Sequence, residues 1–294
     1  PLQCIGIPKT IDNDLPCTDF SPGFPSTAKY IAISTMESGL DIISMAQTST
    51  KVFILEVMGR NAGWIAASSG LASGCSNKSR PPHLILFPEI VFDIDNFTNK
   101  VKSCVSEYGY CYIVASEGIK NIKGEFVSAQ TQTLDSFGHT QLGGVACVLA
   151  KHIKDKLGYK NHWAVVDYLQ RASAHIASSV DVKLSFELGR CAIEKALSGE
   201  SGIMLTLNRV SFYNKNIKNN IWQIGQVGLD KVSNVEKKLP RNFIDKSGYE
   251  ITDACYEYLS ALIQGESFPE YSNGLPQYQH FLEEINKLSV VSEG

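Results

Sequence analysis

No stretch of the 294 residues approaches the ~20 consecutive apolar positions that a membrane-spanning helix requires. A basic excess is also missing. The formal net charge is -3, so no global positive field attracts nucleic acid or an anionic membrane, although a few local cations suffice for an anionic small molecule. The eight cysteines include no CxxC pair, which argues against a zinc or disulfide framework and predicts buried thiols in a reducing, cytoplasmic setting. The opening residues carry no basic n-region and no signal-like apolar core. Neither GxGxxG nor GxxxxGK followed by Ser or Thr occurs, so the ordinary nucleotide-binding signatures are missing. Repeats and low-complexity segments are absent as well.

What is present is the make-up of an ordinary globular protein, with length for one large or two ordinary domains and ample apolar surface for a core. Short apolar runs alternate with helical spacing, which predicts an α/β fold of βαβ units with mostly parallel, Rossmann-like sheets flanked by helices. Strands are expected at 4–7, 51–57, 83–89, 111–118, 162–171 and 202–209. Helices are expected from Ser26 and Thr27 as caps to about 47, then at 63–73, 93–108, 142–158 with Gly158 closing it, 180–199 and 251–265. From 210 onward the chain reads as polar and irregular. The pattern divides into a lobe over 29–171, part of a second lobe built from 1–28 and 172–209, and a C-terminal extension over 210–294.

Three apolar runs end in loops rich in ionisable groups: "PKTIDND" (8–14), "MGRNAG" (58–63) and "SEG" (116–118). In one parallel sheet these would emerge on a single rim, bringing Asp12, Asp14, Arg60 and Glu117 together. "DYLQRAS" (167–173) adds Tyr168 and Arg171 at a fourth strand end. Each residue also has an ordinary explanation. Asx and proline make turns for local reasons, arginine solvates a helix start, tyrosine in a strand is usually core, and His162 and His175 suit structural hydrogen bonds. "QLGGVA" (141–146) is a weak anion-site signal that equally suits close packing. Four such ends on one rim are more than folding needs. The residue types suit phosphoryl transfer to a hydroxyl: an aspartate accepts the alcohol proton, lysine and arginine neutralise phosphoryl oxygens, and carboxylates hold Mg²⁺.

In the order in which they occur, "GIPKTIDNDLP", "TDFSPGFPSTAKYIA", "EVMGRNAGWIAA", "SEG" and "YLQR" closely resemble the phosphofructokinase family, and "FGHTQLGG", "HWAVVDYLQRASAHIAS" and "NVEKKLPR" extend the likeness to about residue 280. The lysine in "PKTIDND" resembles the pyrophosphate-dependent branch, where ATP-using relatives typically carry glycine. The resemblance implies the phosphofructokinase fold, a sugar-phosphate lobe at 29–171 and a donor lobe at 1–28 and 172–209. It implies transfer from pyrophosphate to fructose 6-phosphate, with Mg²⁺, to give fructose 1,6-bisphosphate and phosphate reversibly. On that likeness Asp12 is the proton acceptor, Lys9 steadies the transferring phosphoryl, and Asp14, Thr10 and Ile11 lie beside the substrate. Met58, Gly59, Arg60 and Glu117 bind the sugar, and Tyr168 and Arg171 hold the sugar and its 6-phosphate. Lys51 matches a basic position that reaches a neighbouring subunit's site, and His162 stands where some relatives carry an arginine. Together they imply at least a homodimer with shared sites. An ATP-dependent relative and a non-catalytic regulatory subunit of the same fold are the alternatives. The family's glycine- and aspartate-rich donor loop, with its main Mg²⁺ ligand, is expected upstream of residue 1, so the 294 residues alone are expected to be inactive or very weak.

Overall fold

The computed structural model describes residues 2–74, 79–128, 144–210 and 221–278, together with the backbone of 133–134 and 140–141. The main sheet is built on β2 (Val52–Val57), whose residues are almost all buried, as a central parallel strand requires. Its neighbours are β4 (Cys111–Ser116) on one side and β5 (Asn161–Val165) on the other, with β3 (Leu84–Leu86) beyond β4. All three pairings are parallel. Alternation along β2 sends Val52 and Ile54 into one core with Phe97, Ile113 and Leu149, and Leu55 and Val57 into the other with Phe24, Ile31 and Ile65. Helices therefore cover both faces. Helices α1 (Phe24–Met45) and α2 (Trp64–Ser68) supply the second core; α3 (Ile94–Tyr108) and α4 (Val145–Leu157) supply the first.

A smaller sheet has the order β1 (Ile5–Gly6), β6 (Ile203–Val210), β7 (Ile221–Gly228). β1 runs parallel to β6, and β6 runs antiparallel to β7. Helix α5 (Ser179–Leu197) leads into β6, and α6 (Asp253–Leu262) follows the sheet.

Several expectations change here. The tract after 210 is not irregular throughout: "IWQIGQVG" forms the full-length antiparallel partner of β6. The strand expected at 162–171 stops at Val165, and Asp167–Arg171 is a tight 3-10 turn entered by Asp167 at φ 45°. The helix expected at 63–73 is α-helical only to Ser68, where the Ser68 and Ser69 hydroxyls bond back to the carbonyls of Ile65 and Ala66. Cys104, Cys111 and Cys255 are buried, but Cys4, Cys17 and Cys147 are exposed, so the thiols are not uniformly core residues.

Helix α1 starts at Phe24 without a cap from Ser26 or Thr27. Instead the Asp181 carboxylate on α5 accepts the Gly23 N–H (3.0 Å), the Ser26 N–H (3.1 Å) and the Ser26 hydroxyl (2.6 Å). A buried carboxylate thus satisfies the orphan donors of a helix remote in sequence. Glu56 repeats the device from β2, accepting the Ala146 N–H at 2.8 Å at the start of α4. Asp181 thus locks α1 to α5, and Glu56 locks α4 to β2, the strand whose end carries the Arg60 loop. No described helix is long and apolar enough to cross a membrane.

Candidate active site

The loop after β1 is built around Asn13. This residue is fully buried and sits at φ 54°, the left-handed region that asparagine tolerates better than most side chains. Its Oδ1 accepts the Ser21 N–H at 3.1 Å, and its Nδ2 donates to the Tyr258 hydroxyl at 3.0 Å. One residue earlier the Asp12 N–H donates to the Thr10 hydroxyl at 3.1 Å, and the Thr10 N–H donates to the Pro22 carbonyl at 3.2 Å. Asn13 is anchored inward, while Asp12 and Asp14 on either side remain partly exposed.

On the main sheet the loops after β2 and β4 are tied together. The Glu117 N–H donates to the Val57 carbonyl at 3.0 Å, and the Ser116 hydroxyl donates to the Gly59 carbonyl at 2.6 Å. The Glu117 carboxylate accepts the Gly59 N–H. Gly118 is required by close approach, because a Cβ there would stand 1.9 Å from the Arg60 carbonyl oxygen. Gly118→Ala is expected to push the Arg60 segment aside and lower stability by about 1–3 kcal/mol, read as a reduced denaturant midpoint.

The 3-10 turn after β5 joins the same assembly through Gln170, which is 1% exposed. Its Oε1 accepts the Met58 N–H at 3.3 Å, and its carbonyl accepts the Thr27 hydroxyl at 3.1 Å. That anchoring leaves Tyr168 and Arg171 projecting, with the guanidinium 5.1 Å above the tyrosine ring. Tyr168 is 66% exposed, so it is not the core residue that a strand position would make it. A cleft of about 490 Å³ opens between Lys9, Ile11, Thr27, Gln170 and Arg171.

Electrostatics confirm that loops of both sheets meet. Burial pushes the Asp12 carboxyl above the usual aspartate range, and the charge of Asp14 adds to the rise; Arg171 and Lys9 oppose it. Burial also raises Glu117, opposed chiefly by Arg60 and the Gly59 N–H, while Glu56 and Asp12 push it further up. Asp12 therefore lies within electrostatic reach of Lys9, Asp14, Arg171 and Glu117. The convergence does not occur on one rim, however. Asp12 arrives from the small sheet, whereas Arg60, Glu117 and Arg171 follow strands of the main one.

Lys51 is not brought to this cluster. It stands before β2, at the opposite end of that strand from Arg60, and its ammonium donates to the Ala46 carbonyl. His162 and His175 are both exposed, His162 on the edge strand β5 in register with Phe53. Most of "FGHTQLGG" lies outside the described residues, as do Leu142 and Gly143 of "QLGGVA". Among the described residues no group of three or more His, Cys, Asp or Glu is placed to hold a metal ion. Asp12 and Asp14 offer two carboxylates, which suits a Mg²⁺ ion completed by phosphate oxygens and water rather than by a protein cage. The residues missed from sequence are the anchors: Asn13, Ser116, Gln170 and Asp181. Asn13, Ser116 and Gln170 each stand beside a charged site candidate, whereas Asp181, between Val180 and Val182, carries no local signal of its role.

The model of one family, described as phosphofructokinase, matches residues 1–195. A pyrophosphate–fructose 6-phosphate 1-phosphotransferase from Methylococcus capsulatus is 51% identical over 278 residues, covering 95% of this chain and 64% of its own length. The protein of that name from Halomonas elongata is 52% identical over 277 residues, with 94% and 64% covered. A crystal structure of pyrophosphate-dependent phosphofructokinase from Nitrosospira multiformis superposes with a TM-score of 0.84 at 50% identity, over 95% of this chain and 65% of that one. The chain thus spans a little under two thirds of the length of these relatives.

Proposed function

Because the chain belongs to the phosphofructokinase family, we propose that its cleft transfers a phosphoryl group from pyrophosphate to the 1-hydroxyl of fructose 6-phosphate, reversibly. The observation that carries this reading is Asp12 held among Lys9, Arg171 and Glu117. A carboxylate with a raised pKa, flanked by cations, suits removal of a proton from an alcohol as that oxygen meets an electron-poor phosphorus. Asp12 accepts the 1-hydroxyl proton. Lys9 lies against the transferring phosphoryl and stabilises charge on its oxygens. A pyrophosphate donor brings no base or ribose to bind, so charge and hydrogen bonds must do all the holding.

Arg171 takes the 6-phosphate, with Tyr168 beneath its guanidinium, and Arg60 and Glu117 hold the sugar beside the Met58–Gly59 backbone. Thr10 and Ile11 border the reacting oxygen. Mg²⁺, when bound with the donor, neutralises phosphate charge; Asp14 is the carboxylate of this chain left free to face it. Lys51 and His162 would serve a neighbouring subunit's site in a homodimer or larger assembly. The lobe division at 1–28, 29–171 and 172–209 is supported by the pairing of β1 with β6 apart from the main sheet. A cytoplasmic setting suits both substrates.

The test is calorimetric titration of fructose 6-phosphate into the full-length protein. Arg171→Met is expected to weaken binding by roughly 10–100-fold, the loss of a charge-assisted pair. Unchanged affinity would remove Arg171 from the phosphate site and argue for a different substrate.

A further inference from the structure

Lys237 belongs to the extended segment that follows β7, far from the Asp12 loop in sequence, yet it grips that loop at several points. Its ammonium donates to the carbonyls of Thr18 and Asp19, each at 2.9 Å, and to the Asn13 Oδ1 at 3.3 Å. Its N–H donates to the Asp14 carbonyl at 2.6 Å. The ammonium also sits 5.2 Å above the Trp64 ring, and the Trp64 indole N–H donates to the Lys237 carbonyl at 3.1 Å. Tyr258 on α6 completes the hold: its hydroxyl accepts from Asn13 and donates to the Asp19 carbonyl at 2.5 Å.

The arrangement is costly. A lysine withdrawn from water normally faces a carboxylate, and here carbonyl oxygens and a π-face receive it instead. Burial lowers its pKa to about 8. The segment is in turn fixed from behind, since one Glu89 carboxylate oxygen accepts both the Leu239 and Gly63 N–H groups at 2.9 Å. The lysine's partners lie at Asn13, Asp14, Thr18 and Asp19, which is the stretch that places the two aspartates. The sugar-side groups Arg60, Glu117 and Arg171 are not among the partners of the Lys237 ammonium, although its segment also touches the end of the Arg60 loop, where the Asn61 amide donates to the Glu236 carboxylate at 2.9 Å.

We propose that Lys237, assisted by Tyr258, is a positioning residue for the phosphoryl-transfer step, holding the Asn13 turn so that Asp12 and Asp14 stay aligned without itself touching substrate. The inference rests on the reading of Asp12 as the base. Misplacing a reacting group by about 1 Å costs on the order of 10²-fold in rate. Loss of the clamp should therefore lower kcat while leaving sugar binding in place.

The experiment is steady-state kinetics of the full-length protein carrying Lys237→Met, Lys237→Arg or Tyr258→Phe, with pyrophosphate and fructose 6-phosphate. Lys237→Met is expected to lower kcat by roughly 10–100-fold with KM for fructose 6-phosphate changed by less than about threefold. Lys237→Arg, which keeps several donors, is expected to recover part of kcat. Hydrogen exchange over residues 13–20 should accelerate in Lys237→Met while that of β2 and β4 does not. Should Lys237→Met fail to fold, Tyr258→Phe carries the test, with kcat lowered about threefold to tenfold and KM held. The proposal is overturned if the folded variants keep wild-type kcat, or if kcat and sugar affinity fall together with no local change in exchange. Absence of transfer in the wild-type protein would instead overturn the reading of the site.

Discussion

Asp12→Ser is expected to lower turnover of the full-length protein by roughly 10²–10⁴-fold while fructose 6-phosphate affinity stays within a few-fold, because proton acceptance is needed only as the transition state forms. The split between rate and affinity follows from the architecture. Asp12 hangs from the small sheet through the buried Asn13, whereas the proposed sugar contacts hang from the main sheet through Ser116, Gly118 and Gln170. The same group sets the acid limb of the pH profile. A base must be ionised, and burial together with Asp14 raises the Asp12 pKa. The rate should therefore fall, as pH drops, at a midpoint above the ordinary aspartate value of ~3.9. Asp14→Asn removes one of the raising charges and should shift that limb to lower pH. An equal loss of rate and affinity in Asp12→Ser would make Asp12 structural.

The second large effect concerns the donor. Lys9→Gly is expected to reduce the pyrophosphate-supported rate by roughly 10²–10³-fold, as loss of one preorganised donor to a developing charge does elsewhere. Fructose 6-phosphate affinity should be nearly unchanged. Lys9 is exposed at the mouth of the cleft and lies within electrostatic reach of Asp12. Comparing pyrophosphate with ATP in the variant shows whether the ammonium also selects the donor. A pyrophosphate rate that survives the substitution would take Lys9 out of the transfer step.

The legible parts of this fold were those in which local pattern and tertiary role coincide. "VFILEV" and "CYIVAS" are buried on both faces, so their continuous apolar runs already describe central parallel strands. Asp93 caps α3 and left-handed Gly158 closes α4 with chemistry contained within a few residues. Illegible were the features decided at long range. Nothing local in "CIGI" tells which sheet it joins, so the charged loops were expected on one rim when they meet across two. "IWQIGQVG" has its apolar residues at 221, 222, 224 and 227, which is not the alternation of a strand, and its pairing with β6 is decided at long range. The α1 cap comes from Asp181, and the support beneath Asp12 comes from Lys237 and Tyr258, each far along the chain. Charged residue types pointed to the site. The polar residues that aim them are selected by contacts between segments distant in sequence.

The most direct test combines full-length protein, fructose 6-phosphate, pyrophosphate and Mg²⁺, with products followed by phosphorus NMR. The account predicts fructose 1,6-bisphosphate and phosphate appearing in equal amounts, the reverse reaction when those two are supplied, and no comparable product when ATP replaces pyrophosphate. Bisphosphate formed from ATP but not from pyrophosphate, or sugar phosphate bound without conversion by either donor, would contradict it.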